Sequence, residues 1–263
     1  MEIQIKKFNM NKITSDKVVV LIGKRNTGKS YLVKDILYHH QNIPVGQAIS
    51  GTEAANEFYG SIIPKVFIHE EYTAQIIQNI IKRQKLMVEK LKQNPNMDPR
   101  VFLILDDCLY DNSWTKNTDI RSIFMNGRHY KILFLLTMQY ALGIPPNLRT
   151  NIDYVFILRE NYVSNRKRLY EHYAGMFPTF DMFCQVMDQC TENYECLVID
   201  NNANSNQLVD QVFWYKAPER PNFKCGAKEF WDYSDKNFQK NTNQSDDITS
   251  SRIKNRVEVV KHQ

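Results

Sequence analysis

Lys17-Val-Val-Val-Leu-Ile22 runs without interruption into Gly23-Lys-Arg-Asn-Thr-Gly28-Lys29-Ser30, and these fourteen residues carry most of the information about the fold. Three successive valines inside a continuous apolar run read as a strand buried on both faces. The glycine-rich segment after it satisfies every fixed position of G-x-x-x-x-G-K-[ST]. Ser30–His40 then reads as a helix with Leu32, Val33, Ile36 and Leu37 on one side. Strand, glycine-rich loop and helix together form a phosphate cradle. Backbone N–H groups curl around phosphate oxygens, Lys29 reaches the β- and γ-phosphates, and the Ser30 hydroxyl binds Mg²⁺. The helix N-terminus adds a favourable dipole. Gly23, Asn26, Thr27, Gly28, Lys29, Ser30 and Tyr31 are therefore the candidate nucleotide-binding residues, with ATP and Mg²⁺ as the expected cofactors.

Outward from this loop the chain alternates strand-like and helical patterns. Short β-like runs occupy Val45–Ser50 and Lys65–His69. From Thr73 to Gln93 the pattern is helical, with Ile76, Ile77, Ile80, Ile81, Met87, Val88 and Leu91 on one stripe. Val101–Leu105, Lys131–Thr137 and Asp153–Leu158 read as further buried strands. Strands alternating with helices imply an α/β fold with a mostly parallel central sheet flanked by helices. Phe183, Val186, Met187 and Cys190 mark a later helix, and Glu195–Asp200 with Gln207–Tyr215 reads as a C-terminal hairpin. The expected organisation is a lead-in over 1–16, an ATPase domain over 17–232 and a disordered polar tail over 233–263.

Composition narrows the classes further. The chain has 263 residues, 43% of them hydrophobic and 24% charged, which is globular usage. Its apolar runs are far shorter than the ~18 residues of a membrane span, so no membrane span is expected. Five cysteines are too few and too scattered for a disulfide scaffold. Cys184, Cys190 and Cys196 stand six apart, wider than zinc pairs favour. With 34 basic against 29 acidic residues, the net charge of +5 permits a nucleic-acid partner without requiring one.

Two further stretches carry chemistry. Val101-Phe-Leu-Ile-Leu-Asp106-Asp107 is an apolar strand ending in two carboxylates. Asp106 would hold Mg²⁺, and Asp107 would orient or deprotonate the attacking water. Ile132-Leu-Phe-Leu-Leu-Thr137-Met-Gln139 ends a second strand in Thr-x-Gln. If that strand lies between the loop strand and the acidic strand, Gln139 faces the γ-phosphate; otherwise it caps a strand edge. Asn126-Gly127-Arg128-His129-Tyr130 precedes it, and Arg128 is either a guanidinium offered to a neighbour's γ-phosphate or a surface ion-pair partner. Arg149, after Pro145-Pro146-Asn147-Leu148, is a second candidate. Trp114 reads by default as a packed aromatic, with a substrate contact as the alternative, while the Arg166-Lys-Arg168 cluster fits DNA phosphates and a solvated helix face equally.

In combination, Gly23–Ser30, Leu103-Ile-Leu-Asp-Asp107, Asn126-Gly-Arg-His-Tyr130, Thr137-Met-Gln139-Tyr140 and Ile144-Pro-Pro-Asn-Leu-Arg149 with Asn151-Ile-Asp153 resemble the genome-packaging ATPases of nucleocytoplasmic large DNA viruses, a branch of the FtsK/HerA superfamily. The resemblance covers about residues 15–215. It implies a RecA-like core with the sensor strand between the loop strand and the acidic strand. It also implies a homo-oligomeric ring, hexameric or pentameric, that pumps double-stranded DNA into a preformed capsid, with the viral capsid or a portal vertex as partner. The expected location is the virus factory of the host cytoplasm, with virion association as a further expectation. Catalytic roles carry over to Lys29, Asp106, Asp107 and Gln139, and a trans-acting finger to Arg128. Asp107 departs from the Glu common in the superfamily by one methylene. The alternative from another class is a P-loop small-molecule or nucleotide kinase, whereas a GTPase would need an Asn-Lys-x-Asp motif that does not occur.

Overall fold

A computed structural model describes residues 4–107, 112–141 and 143–237. Nine strands among the described residues form one sheet: β1 Lys6–Lys7, β2 Val18–Ile22, β3 Val45–Ser50, β4 Ile68–His69, β5 Val101–Asp106, β6 Ile132–Met138, β7 Tyr154–Ile157, β8 Glu195–Asp200 and β9 Val212–Lys216. Their spatial order is β1-β9-β8-β7-β2-β6-β5-β3-β4. Pairings are parallel except β7 with β8 and β8 with β9. The helices are α1 Lys29–His39, α2 Glu53–Asn56, α3 Ala74–Gln93, α4 Thr118–Asn126, α5 Pro146–Arg149, α6 Val163–Tyr173, α7 Phe180–Cys190 and α8 Leu208–Gln211. Among the described residues no helix is long and apolar enough to cross a membrane.

The continuous apolar runs are explained by a core on each side of the sheet. Val18, Val20 and Ile22 face one core while Val19 and Leu21 face the other. The same alternation divides Leu103 and Leu105 from Phe102 and Ile104. α1 covers the second core with Leu32, Val33, Ile36 and Leu37. The opposite face is covered by Ile77, Ile80 and Ile81 of α3, Ile120, Ile123 and Phe124 of α4, and Phe183, Val186, Met187 and Cys190 of α7. Met87, Val88 and Leu91, read as part of the α3 stripe, are only half-buried. In the middle of that helix Gln84 is fully buried, because its Nε2 donates to the carbonyls of Pro99 at 2.8 Å and Tyr130 at 2.6 Å.

Four stretches differ from the sequence reading, the start of the expected tail at 233–237 among them. The lead-in packs: Phe8, Met10 and Ile13 are buried in the second core, and Phe8 meets Tyr154, Phe156 and Phe213 edge-on at 5.4–5.7 Å. Lys65–His69 is a 3₁₀ turn over Lys65–Phe67 followed by the two-residue β4. The hairpin forms, but only Val212–Lys216 of its second arm is strand, because Leu208–Gln211 closes a helical turn first. After β9 the chain crosses back over the second core, burying Cys225 and Phe230, and 228–237 is helical. The side chain of Ser234 in that helix accepts from the Val66 amide at 3.4 Å. The rest of the expected polar tail, 238–263, lies outside the described residues, as does Cys108.

Candidate nucleotide site

β2 ends at Ile22, and the Gly23 amide donates to the Met138 carbonyl at 3.0 Å, anchoring the loop to β6. The chain then reverses through two left-handed residues, Asn26 at φ 62° and Gly28 at φ 104°. Thr27 Oγ1 donates to the Lys24 carbonyl at 2.7 Å and closes the turn. α1 starts on Gly28 with no side-chain cap, so its first amides remain free to face an anion. Ser30 and Tyr31 are exposed at this mouth. Lys29 folds back instead and is buried, its Nζ 2.6 Å from the Gly23 carbonyl and 3.2 Å from Asp107 Oδ2.

Strand register supplies the rest. Ser50, Asp106 and Thr137 are paired across β3, β5 and β6, forming a polar row at the C-terminal edge of an otherwise apolar sheet. Thr137 Oγ1 donates to Asp106 Oδ1 at 2.6 Å, and Ser50 Oγ donates to Asp106 Oδ2 at 3.2 Å. The buried Tyr59 hydroxyl lies against the same carboxylate. Burial pushes the Asp106 carboxyl above the usual range; the Thr137 hydrogen bond opposes this and the Asp107 charge adds to it. At Asp107 the backbone turns left-handed, φ 46°, and its amide donates to Thr137 Oγ1 at 3.0 Å. That turn aims its Oδ2 at Lys29 Nζ and at Gln139 Nε2, 3.3 Å away.

The residues expected to act together therefore do meet: Lys29, Asp106, Asp107 and Gln139 share one pocket edge, with β6 lying between β2 and β5. Two neighbouring carboxylates, one of them desolvated, suit a divalent cation. Among the described residues no group of three or more His, Cys, Asp or Glu side chains is placed to hold a metal.

Arg128 lies apart. It is exposed in the turn before β6, and because β6 runs parallel to β2 that turn is at the opposite edge of the sheet, ~20 Å of strand away. Arg149 is already engaged, with Nη1 donating to the His172 carbonyl at 3.3 Å and its guanidinium 5.8 Å from the Tyr173 ring. Trp114 is packed in the core beside Phe124 and is not available to a substrate. Arg166 pairs with Asp188 at 2.6 Å, while Lys167 and Arg168 are exposed.

Four residues of the site went unread in the sequence: Ser50, Tyr59, Thr137 as a ligand of Asp106, and Glu160. Glu160, just past β7, is buried and receives Lys24 Nζ at 2.6 Å, the Tyr162 amide at 2.8 Å and Asn165 Nδ2 at 3.0 Å. Although burial works against it, these donors hold its carboxyl below the usual range. It pins the second residue of the loop to the start of α6. Only Thr137 carried a signal in the sequence, as a hydroxyl at the end of an apolar run.

No known family's sequence profile matches the chain. Individual proteins do. A protein of Acanthamoeba polyphaga mimivirus is 42% identical over 89% of this chain and 84% of its own length. One from Invertebrate iridescent virus 3 is 44% identical over 83% of this chain and 84% of its own, and one from Frog virus 3 is 34% identical over 82% and 67%. Among solved structures, the genome packaging NTPase of Sulfolobus turreted icosahedral virus 2 in complex with AMP superposes with a TM-score of 0.55 over 79% of this chain and all of that one, at 16% identity. ATPases 2 and 3 of EssC from Geobacillus thermodenitrificans superpose at 0.55 over 78% of this chain and 41% of that one, at 14% identity. At such identities the likeness is one of fold.

Proposed function

Because the chain belongs to the family of large-DNA-virus proteins represented by its mimivirus, iridescent-virus and Frog virus 3 relatives, we propose that it is an ATP-hydrolysing double-stranded-DNA translocase that packages the viral genome into a preformed capsid. The observation that carries this is the convergence of Lys29, Asp106, Asp107 and Gln139 at the C-terminal edge of β2, β5 and β6. Loop amides and Lys29 hold the phosphates; on binding, the triphosphate replaces Asp107 as the partner of the lysine. Ser30 and Asp106 would hold Mg²⁺, which would neutralise charge on the phosphates. Asp107, freed from Lys29, orients and deprotonates the attacking water, and Gln139 senses the γ-phosphate. The work is done in a homo-oligomeric ring at a capsid portal, in the virus factory, with Arg128 reaching the neighbouring subunit's site. A kinase has less support, since a strand carrying Gln139 between the loop and the acids serves hydrolysis more directly than transfer to a small acceptor.

Three substitutions test the assignment. Lys29→Ala should lower ATP turnover by about 10²–10³-fold or more with the fold intact. Asp106→Asn should weaken Mg²⁺-dependent nucleotide binding. Asp107→Asn should bind ATP at least as tightly as the parent and stop hydrolysing it. Equal binding and turnover in the two acid variants would refute the division of roles, and phosphoryl transfer to a small acceptor would replace the translocase with the kinase.

A further inference from the structure

The turn Glu192–Glu195, which carries the chain from α7 into β8, is closed by the Glu195 amide donating to the Glu192 carbonyl at 2.8 Å. Both of its central residues are left-handed, Asn193 at φ 50° and Tyr194 at φ 64°. Mirror-image turns of this kind favour Asn followed by Gly, and a bulky side chain at the second position is a backbone outlier. The tyrosine makes no hydrogen bond or ring contact in return among the described residues, and its side chain is 67% exposed. Strain of this sort accumulates at ligand sites.

Its location identifies the ligand. A Cβ built on Gly28 would lie 3.6 Å from Tyr194 Cδ1 and 3.7 Å from Tyr194 Cβ, so the tyrosine sits against the last glycine of the phosphate loop. The sheet order β8-β7-β2-β6-β5 places Asp106, Asp107 and Gln139 on one side of the loop strand and the entrance to β8 on the other. A triphosphate whose γ end faces the acids and Gln139 must direct its sugar and base the opposite way, toward β7 and β8. Tyr162, also on that side, has its face under Lys24 Nζ at 3.9 Å. Tyr194 offers a free one.

We infer that Tyr194 is the stacking platform for the base of the bound nucleotide, a role that deepens the nucleotide-site reading and rests on it. Stacking uses the π-face common to all bases, so the contact adds affinity for the nucleoside part and none for the phosphates. Calorimetric titration of the full chain with Mg·ATP, and separately with Mg²⁺ and inorganic tripolyphosphate, separates the two. Tyr194→Ala should weaken ATP binding about tenfold and leave tripolyphosphate affinity unchanged. Tyr194→Phe should bind ATP like the parent. Tyr194→Gly, which relieves the strained backbone, should melt at a higher temperature yet lose ATP affinity as Ala does. Undiminished ATP affinity in Tyr194→Ala, or equal weakening toward ATP and tripolyphosphate, would overturn the inference. A parent protein that binds neither probe would overturn the nucleotide site itself, and the inference with it.

Discussion

Asp106 has given up most of its water beside a second carboxylate, and the cost of that falls on the folded protein. Its pKa in the fold is raised, chiefly by burial, so between the unfolded and folded values the native state binds more protons than the unfolded chain. Stability therefore falls as pH rises through that window, and at neutral pH the ionised side chain is a burden on the fold. Without nucleotide or Mg²⁺, Asp106→Asn should raise the melting midpoint at pH 7 by about 2–4 °C, because Oδ1 still accepts from Thr137. The gain should shrink below the carboxylate range, where Asp106 is protonated in both states. A lower midpoint at pH 7 would show that the carboxylate stabilises the fold. A residue that costs stability in this way is a candidate for chemistry. At this scale the loop and the acid pair were legible because their spacing is fixed along the chain. Ser50, Tyr59 and Glu160 were not, since only strand register and loop packing bring them to the site.

β3 shows what an element's sequence encodes and what it hides. Its Gly46 is paired with Phe102 on β5, and a Cβ there would fall 2.1 Å from the Phe102 ring. The ring is fully buried with no room to retreat. Gly46→Ala should cost about 1–3 kcal/mol in a denaturant melt, and Phe102→Leu in the same chain should return part of it. Independent, additive losses would contradict the contact. As a glycine in a short strand, residue 46 gave no hint of this; the partner ring lies 56 positions on. Strands β2, β5, β6 and β7 were readable because sheets covered on both faces need unbroken apolar runs. The packed lead-in was not, because Phe8, Met10 and Ile13 are spaced by polar residues and bury singly against aromatic and aliphatic neighbours. The α8 turn before β9 escaped notice for want of any Gly or Pro to mark it.

For the whole molecule, chain order alone does not give spatial order. That β6 inserts between β2 and β5 followed from the resemblance and is now seen in the sheet, and it decides that Gln139 and Asp107 meet. The same topology puts Arg128 at the far edge, where it can serve only another copy's site. Arg128→Ala and Lys29→Ala chains, each inactive alone, should then recover part of their turnover when mixed, because some interfaces pair an intact loop with an intact arginine. No recovery in verified mixed assemblies would remove Arg128 from the site. The central claim, that this nucleotide site drives movement on DNA, has a more direct test: steady-state ATP hydrolysis by the purified chain with Mg²⁺, with and without double-stranded DNA of unrelated sequences, over a range of salt. Turnover should rise with DNA regardless of sequence, decline steeply as salt weakens phosphate contacts, and vanish in Lys29→Ala. Turnover that ignores DNA at low salt would contradict that claim.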